Sequence, residues 1–210
     1  MKKLILLGFL LITTTVLSQD LKISINKLTE ETQQLSESAD NLKVVWWIPI
    51  EFWQAIFAED KTMPKDQANE IIHTLSQYTM LATLDGKISD FGDVTYQSKD
   101  QIFKTLSITD TNNKVYTPLE EFEIDQKTKD VLTFMKPVLG NMLGKIGDNM
   151  HFFLFKNKNN PLERIINPKN KDTFTVKLGD EEFKWTLPLS SLLKPKKCPV
   201  DGALLNGTWN

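Results

Sequence analysis

Trp46, Trp47, Glu51 and Trp53 stand close together in the segment WWIPIEFW. Indole faces make platforms for sugars and other ligands with an apolar side, and a nearby carboxylate can orient a polar group. Along a strand, Trp46 and Trp47 point to opposite faces. One ring then enters a core while the other meets a second layer, a groove or water. These four residues are the candidate binding site, an aromatic groove near Trp47 and Trp53. The competing reading places all three rings inside a strand-to-helix corner, because large aromatics are mostly buried.

Other spacings point to chemistry less firmly. Glu70 and His73 share one helix face, as in carboxylate-bridged metal bundles, but the nearest echo is Asp148 and His151, and such sites need further glutamates. Asp110, Asn112 and Glu121 fit three positions of a calcium loop, yet Lys114 replaces an oxygen ligand and Val115 the turn glycine, which leaves a hairpin turn. The chain has no nucleophile elbow, no zinc-protease motif, no phosphate-binding glycine loop and no dinucleotide fingerprint. A carboxylate hydrolase built on Glu51 and His151 is the catalytic alternative. The lone Cys198 has Lys196 and Lys197 beside it, which favours the thiolate and intermolecular pairing. Cys198-Pro-x-x-Gly202 resembles one knuckle of a zinc ribbon, with Asp201 where a second cysteine would stand and no second knuckle before Asn210. No catalytic residue, metal ligand set or cofactor is assigned.

Composition bounds the setting of these residues. The chain has 210 residues, 40% hydrophobic and 25% charged, with a formal net charge of -2. Those values fit one globular domain and exclude a disordered chain, a coiled-coil rod or a multi-span membrane protein. Lys2 and Lys3 precede the apolar run Leu4–Ile12, and Ser18-Gln19 follows as a cleavage point. This is the pattern of a secretory signal peptide over 1–18, too short to span a bilayer. Localisation is therefore expected to be periplasmic or secreted, with no transmembrane segment in the mature chain. Twenty-four lysines accompany one arginine, Arg164, and with the acidic balance this argues against nucleic-acid binding. With one cysteine, an exported chain has to hold itself together by packing.

The elements that must position these residues follow from periodicity. Residues 19–41 read as a loosely docked N-terminal helix or linker. A single domain is expected over 42–193, with a tail over 194–210. Leu42–Ile48 reads as a buried strand, and Pro49 opens a helix over Ile50–Ala58. Ala68, Ile71, Ile72, Leu75 and Tyr78 form one apolar face of a helix beginning at Pro64. Asp85-Gly86 reads as a hairpin turn, followed by strands over Val94–Tyr96, Phe103–Thr109 and Lys114–Tyr116. Asp125 caps a long helix bearing Val131, Leu132, Met135 and Leu139, kinked at Pro137. Met150–Phe155 is a buried strand, 156–172 a polar loop, and the last strands form an amphipathic hairpin turning at Gly179-Asp180. The fold class is α+β: an antiparallel sheet with hairpins, two to three helices packed on it and a single core. The function expected is that of an exported bacterial binding or interaction module without catalysis. Its partner is a small molecule, glycan or protein. The alternatives are the carboxylate hydrolase and a structural envelope protein assembling through Cys198.

Overall fold

The computed structural model describes residues 22–36, 38–157, 163–194, 196–197 and 204–205. The signal-peptide reading of residues 1–18, Cys198 and most of the tail lie outside them. The fold is α+β, built on two antiparallel sheets. The first sheet contains β1 (Gln33–Leu35), β2 (Asn41–Ile48), β3 (Tyr78–Ile88), β4 (Val94–Tyr96) and β7 (His151–Lys156). The second runs in the order β6 (Val115–Tyr116), β5 (Ser107–Thr109), β8 (Thr173–Leu178) and β9 (Glu181–Thr186). A small antiparallel pair joins β10 (Lys196–Lys197) to β11 (Leu204–Leu205). Among the described residues, five α-helices accompany the sheets where two to three were expected: α1 (Ile25–Thr32), α2 (Ile50–Glu59), α3 (Lys65–Leu75), α4 (Lys99–Phe103) and α5 (Gln126–Leu143).

Strand β2 is buried continuously from Lys43 to Ile48. Antiparallel sheets commonly keep one face in water; a run without alternation means that both faces are covered. On one face Trp46 meets Phe52 of α2 edge-on at 5.1 Å and donates from Nε1 to Thr32 Oγ1 of α1 at 3.2 Å. On the other, Trp47 meets Phe174 of β8 edge-on at 4.9 Å, and Phe174 stacks on Trp185 of β9 at the same separation. The molecule is thus layered: helices, first sheet, second sheet. One continuous hydrophobic core runs through it.

The segment before β2 is an integral part of this structure. Leu28 and Thr32 of α1 are fully buried, and β1 pairs with β2 from Gln33↔Trp46 to Leu35↔Val44. Glu31 then clasps the far end of the chain. Its carboxylate accepts from the backbone N–H groups of Ser190 and Ser191 at 3.1 and 3.0 Å, and from both their hydroxyls. It caps the short 3-10 turn Ser190–Leu192.

Two local expectations fail. Asp85-Gly86 is no turn but the interior of the eleven-residue strand β3. One edge of β3 pairs with β2; the other pairs with β7 over Tyr78–Thr83 and with β4 over Gly86–Ile88. A Cβ at Gly86 would lie 2.8 Å from Val94 Cγ1 and 3.2 Å from the Tyr96 ring, so glycine is present for close approach, not for a turn. The strand expected over Phe103–Thr109 begins only at Ser107. Ser98 and Gln101 form a reciprocal capping box that starts α4 instead.

Asp85 has a different partner. It stands opposite Lys43 across the β2–β3 ladder, on the face toward the second sheet. Lys43 is 3% exposed, and its ammonium donates to Asp180 in the β8–β9 turn and lies 3.5 Å from Glu181. Asn41 Nδ2 also donates to Glu181 at 2.8 Å. Burial by itself lowers the Lys43 pKa, but the Asp180 hydrogen bond and the charges of Asp85 and Glu181 outweigh it and hold the ammonium above its usual range. Burial pushes Asp85 up, against the pull of Lys43. This polar seam fixes the second sheet on the first.

The sign of its pH dependence follows. A lysine with a raised native pKa stabilises the fold fully below its unfolded value of about 10.4 and loses that contribution as pH rises through the native value. Lys43→Met is expected to cost about 2–3 kcal/mol at pH 7, below the roughly 3–5 kcal/mol of a fully buried pair, because the Asp180 carboxylate remains largely solvated. The deficit should shrink as pH falls and Asp85 takes up a proton. Urea unfolding of both proteins at pH 7 and pH 4.5 checks this; an equal deficit at both pH values would remove the seam from the account.

Candidate ligand-binding site

The structure places the sequence-predicted aromatic residues inside the molecule. Trp46, Trp47 and Trp53 are 0, 2 and 1% exposed. Trp53 packs edge-on against Phe52 at 5.4 Å and stacks near Phe57 at 6.3 Å. Among the described residues, a cavity of about 10 Å³ lies beside them, between Trp47, Pro49, Tyr78 and Arg164, scarcely enough for one water molecule. The aromatic groove is therefore corrected to an aromatic core, since the sheet that carries Trp46 and Trp47 is covered on both sides. Among the described residues, the buried indole Nε1 groups of Trp53 and Trp185 have no hydrogen-bond partner.

Glu51 is 3% exposed and sits in the first turn of α2, where the helix dipole favours an anion. One guanidinium nitrogen of Arg164 reaches both its oxygens, at 2.8 and 3.0 Å, and Lys169 Nζ lies 4.0 Å away. The single arginine of the chain is thus spent on an ion pair that straps the 163–172 loop to α2. Asn157 anchors the same loop, accepting from Thr79 Oγ1 and Ile165 N and donating to Ser76 O. Glu51 and His151 line no common hollow.

The remaining constellations resolve simply. His73 is exposed, and Glu70 pairs with Lys127 of α5 at 2.8 Å. Asp110 Oδ1 accepts from the Asn112 and Lys114 amides and Oδ2 from the Tyr116 hydroxyl, which makes the hairpin turn. Among the described residues, no group of three or more His, Cys, Asp or Glu side chains is placed to hold a metal.

A cleft lies elsewhere, between α5 and the start of β7. Asp125 begins α5, accepting from Thr128 N at 2.9 Å and from the Tyr78 hydroxyl at 3.1 Å. The Thr128 amide bond holds its carboxyl below the usual carboxylate range. From that anchor, Lys129, Leu132, Thr133 and Lys136 follow at helical spacing and line one wall. Phe152 and Leu154 alternate onto one face of β7 and form the floor with Ile124 and Met150. The segment carrying Ile124 is held to the β7 edge by Leu119 N–H donating to Leu154 O at 2.7 Å. Lys99, Glu121 and His151 complete the rim.

This cleft has a volume of about 220 Å³. It adjoins a second open hollow of about 560 Å³, which shares Thr133 and Lys136 and is lined further by Pro137, Gly140, Gly144, Gly147 and Asp148. Pro137 has no amide to bond the Thr133 carbonyl, and the glycines leave the space beyond open: a Cβ at Gly140 or Gly144 would meet nothing within 4 Å. Together the two hollows reach the about 300–1,000 Å³ typical of small-molecule sites. Glu121 lies 3.2 Å from Lys99 and 3.7 Å from Lys129. Among the described residues, Lys136 has no acid within 4.0 Å. Burial first, then Lys99 and Lys136, push the His151 pKa down from its usual value near 6.5, against a hydrogen bond to the Gln97 backbone.

Sequence reasoning missed this site. Its readable signal was the 129–132–133–136 spacing along α5; Lys99 and Glu121 arrive there only through the topology. No protein-family model, curated protein or solved structure matches the chain. No helix among the described residues is long and apolar enough to cross a membrane.

The Glu51 assignment as a strut has a direct check. Arg164→Met strips a buried carboxylate of its partner and is expected to cost about 3 kcal/mol, the low end for a broken buried pair, because Arg164 is partly solvated. Adding Glu51→Gln should recover most of the loss in urea unfolding. If the double variant is no more stable than Arg164→Met alone, the pair is not the strap.

Proposed function

We propose that the protein is an exported binding module without catalysis, and that it takes an anionic ligand in the cleft between α5 and β7. The observation that carries the reading is the unbalanced rim. Glu121 pairs with Lys99 and Lys129 on the rim beside an apolar floor, and among the described residues Lys136 has no acid within 4.0 Å. Lysines that rim a cleft attract anions most strongly where low-dielectric walls focus the field. Export is supported by the lysine start and short apolar run of the first eighteen residues. A non-catalytic role is supported by the chemistry at hand: the buried acid Glu51 is neutralised by Arg164 and stands apart from His151.

Native mass spectrometry of protein taken gently from the periplasm or culture medium tests this. The polypeptide is expected to begin at Gln19 and to carry additional non-covalent mass, which Lys136→Glu removes without changing the melting temperature by more than a few degrees. Mass retained in Lys136→Glu would place the ligand elsewhere. A bare polypeptide in both proteins would overturn the binding reading, and an intact N-terminus would overturn processing.

A further inference from the structure

We infer that the cleft takes an extended acidic peptide, added as a short strand to the free edge of β7, with an acidic side chain on each side of an apolar one. The inference rests on the binding-module reading and names the class of its ligand. Three arguments lead to it.

The first is the direction of the backbone groups of β7. Leu154 O accepts from Leu119 N, so it points away from β3. Asn157 N donates to Gln77 O at 3.2 Å, so odd positions point toward β3. Along an antiparallel strand the two directions alternate. Phe152 therefore turns its N–H and its C=O outward, and among the described residues neither has a partner. Leu119 enters the lane of a further strand for one residue, and the chain then leaves it through the 3-10 turn Glu121–Glu123. The cleft opens on the vacated lane. Met150, His151 and Phe152 all line it, although successive side chains on a strand point to opposite faces. What consecutive residues share is the edge of the strand.

The second is the pattern on the α5 wall. Lys129 and Lys136 lie on one helix face, two turns apart, about 10 Å along the axis, with Leu132 between them. Lys99 joins the Lys129 end, where Glu121 answers only one of the two cations. At the other end Lys136 has no acid within 4.0 Å among the described residues. A strand laid along β7 presents every second side chain to this wall, and positions i, i+2 and i+4 span about 13 Å. Acid, apolar, acid in those places meets lysine, leucine, lysine within the reach of the flexible lysine chains. Leu132 and Phe152 are half-buried, so the apolar residue has surface to cover.

The third is the choice of partner. An unpaired edge is a template for any strand, including the same strand of a second copy. Pairing β7 with β7 would bring two sets of three rim lysines together against two glutamates, and like charges across an interface exclude a partner. Lysines beside a free edge guard against self-pairing in this way. An acidic peptide turns the same charges into attraction, while the backbone of the edge supplies hydrogen bonds independent of its sequence.

The test is titration of the full processed protein with the acetylated, amidated heptapeptide Thr-Glu-Thr-Val-Thr-Glu-Thr, read by calorimetry and by amide hydrogen exchange. Binding is expected to slow exchange of the Phe152 amide at least tenfold and to leave that of Phe153, directed toward β3, unchanged. The isomer Glu-Glu-Thr-Val-Thr-Thr-Thr should bind at least fivefold more weakly, and the peptide with lysines for glutamates not measurably. N-methylation of the peptide at Val and at the next Thr blocks opposite edges of its strand. One of the two should weaken binding at least tenfold and the other less than threefold. Lys136→Glu should weaken the peptide at least tenfold with Phe153 exchange as in the parent protein, whereas a general structural defect would speed Phe153. No binding, binding without slower exchange at Phe152, an equal effect of the two N-methyl groups, or equal binding of the lysine peptide would overturn the assignment. A dimer whose Phe152 amide is protected without peptide would overturn it too, giving the lane to a second copy. Each of these leaves the binding-module reading to be judged by the mass spectrum, where only a bare polypeptide defeats it.

Discussion

Two tryptophans in succession on one strand cannot share a face, and both need to leave water. Trp46 and Trp47 therefore require a covering layer on each side of the first sheet. Each indole buries on the order of 150–250 Å², worth roughly 4–6 kcal/mol by transfer as an upper estimate. That is comparable with the whole net stability of an ordinary domain. The helical layer over Trp46 and the second sheet under Trp47 are the two halves of one requirement. The same requirement explains why a chain without an internal disulfide can be rigid at its centre, and why the rings best suited to hold a ligand are unavailable to one.

Burial by itself does not tell two layers where to stop sliding, because apolar contact is non-directional. Polar groups supply the register. Lys43, facing Asp85 across the ladder and the β8–β9 turn across the interface, sets the second sheet against the first. Thr32 receiving the Trp46 indole sets α1, and Arg164 on Glu51 ties the long loop to α2. Each contact is short, directional and buried on at least one side. The cleft between α5 and β7 arises where this fastening stops. There, among the described residues, β7 has an edge that no further strand covers, and α5 passes beside it.

Much of the framework was legible in the sequence, because periodicity reports burial. The unbroken run of β2, the apolar face of α3 from Ala68 to Leu75, the Asp125 cap and the alternation in β8 and β9 stand as expected, whereas Tyr78, read as the end of that face, opens β3. Reading failed where tertiary partners overrode a local signal. Asp85-Gly86 has the composition of a tight turn, yet Asp85 faces Lys43 and Gly86 makes room for Val94 and Tyr96. At Ser98 and Gln101 a reciprocal capping box starts α4, so the strand read over Phe103–Thr109 is delayed to Ser107. The candidate site failed for a simpler reason. An aromatic cluster marks a place where much surface is removed from water, and nothing local distinguishes removal by a ligand from removal by a second sheet. The cleft residues, in contrast, are ordinary surface lysines, and the pattern that unites them exists only after folding.

The clasp of Glu31 on Ser190 and Ser191 brings together positions 159 and 160 residues apart. The first helix of the domain and its last turn are neighbours in space, so the path of the backbone is nearly a closed ring. A short peptide joining α1 to that turn, with the ring opened at a surface loop instead, would leave both sheets in place. Closure also comes late by nature: the N-terminal helix finds its final partner only when nearly the whole chain is present. Contacts of this span slow folding, and they make the two extremities a single cooperative unit, so that fraying at one end loosens the other.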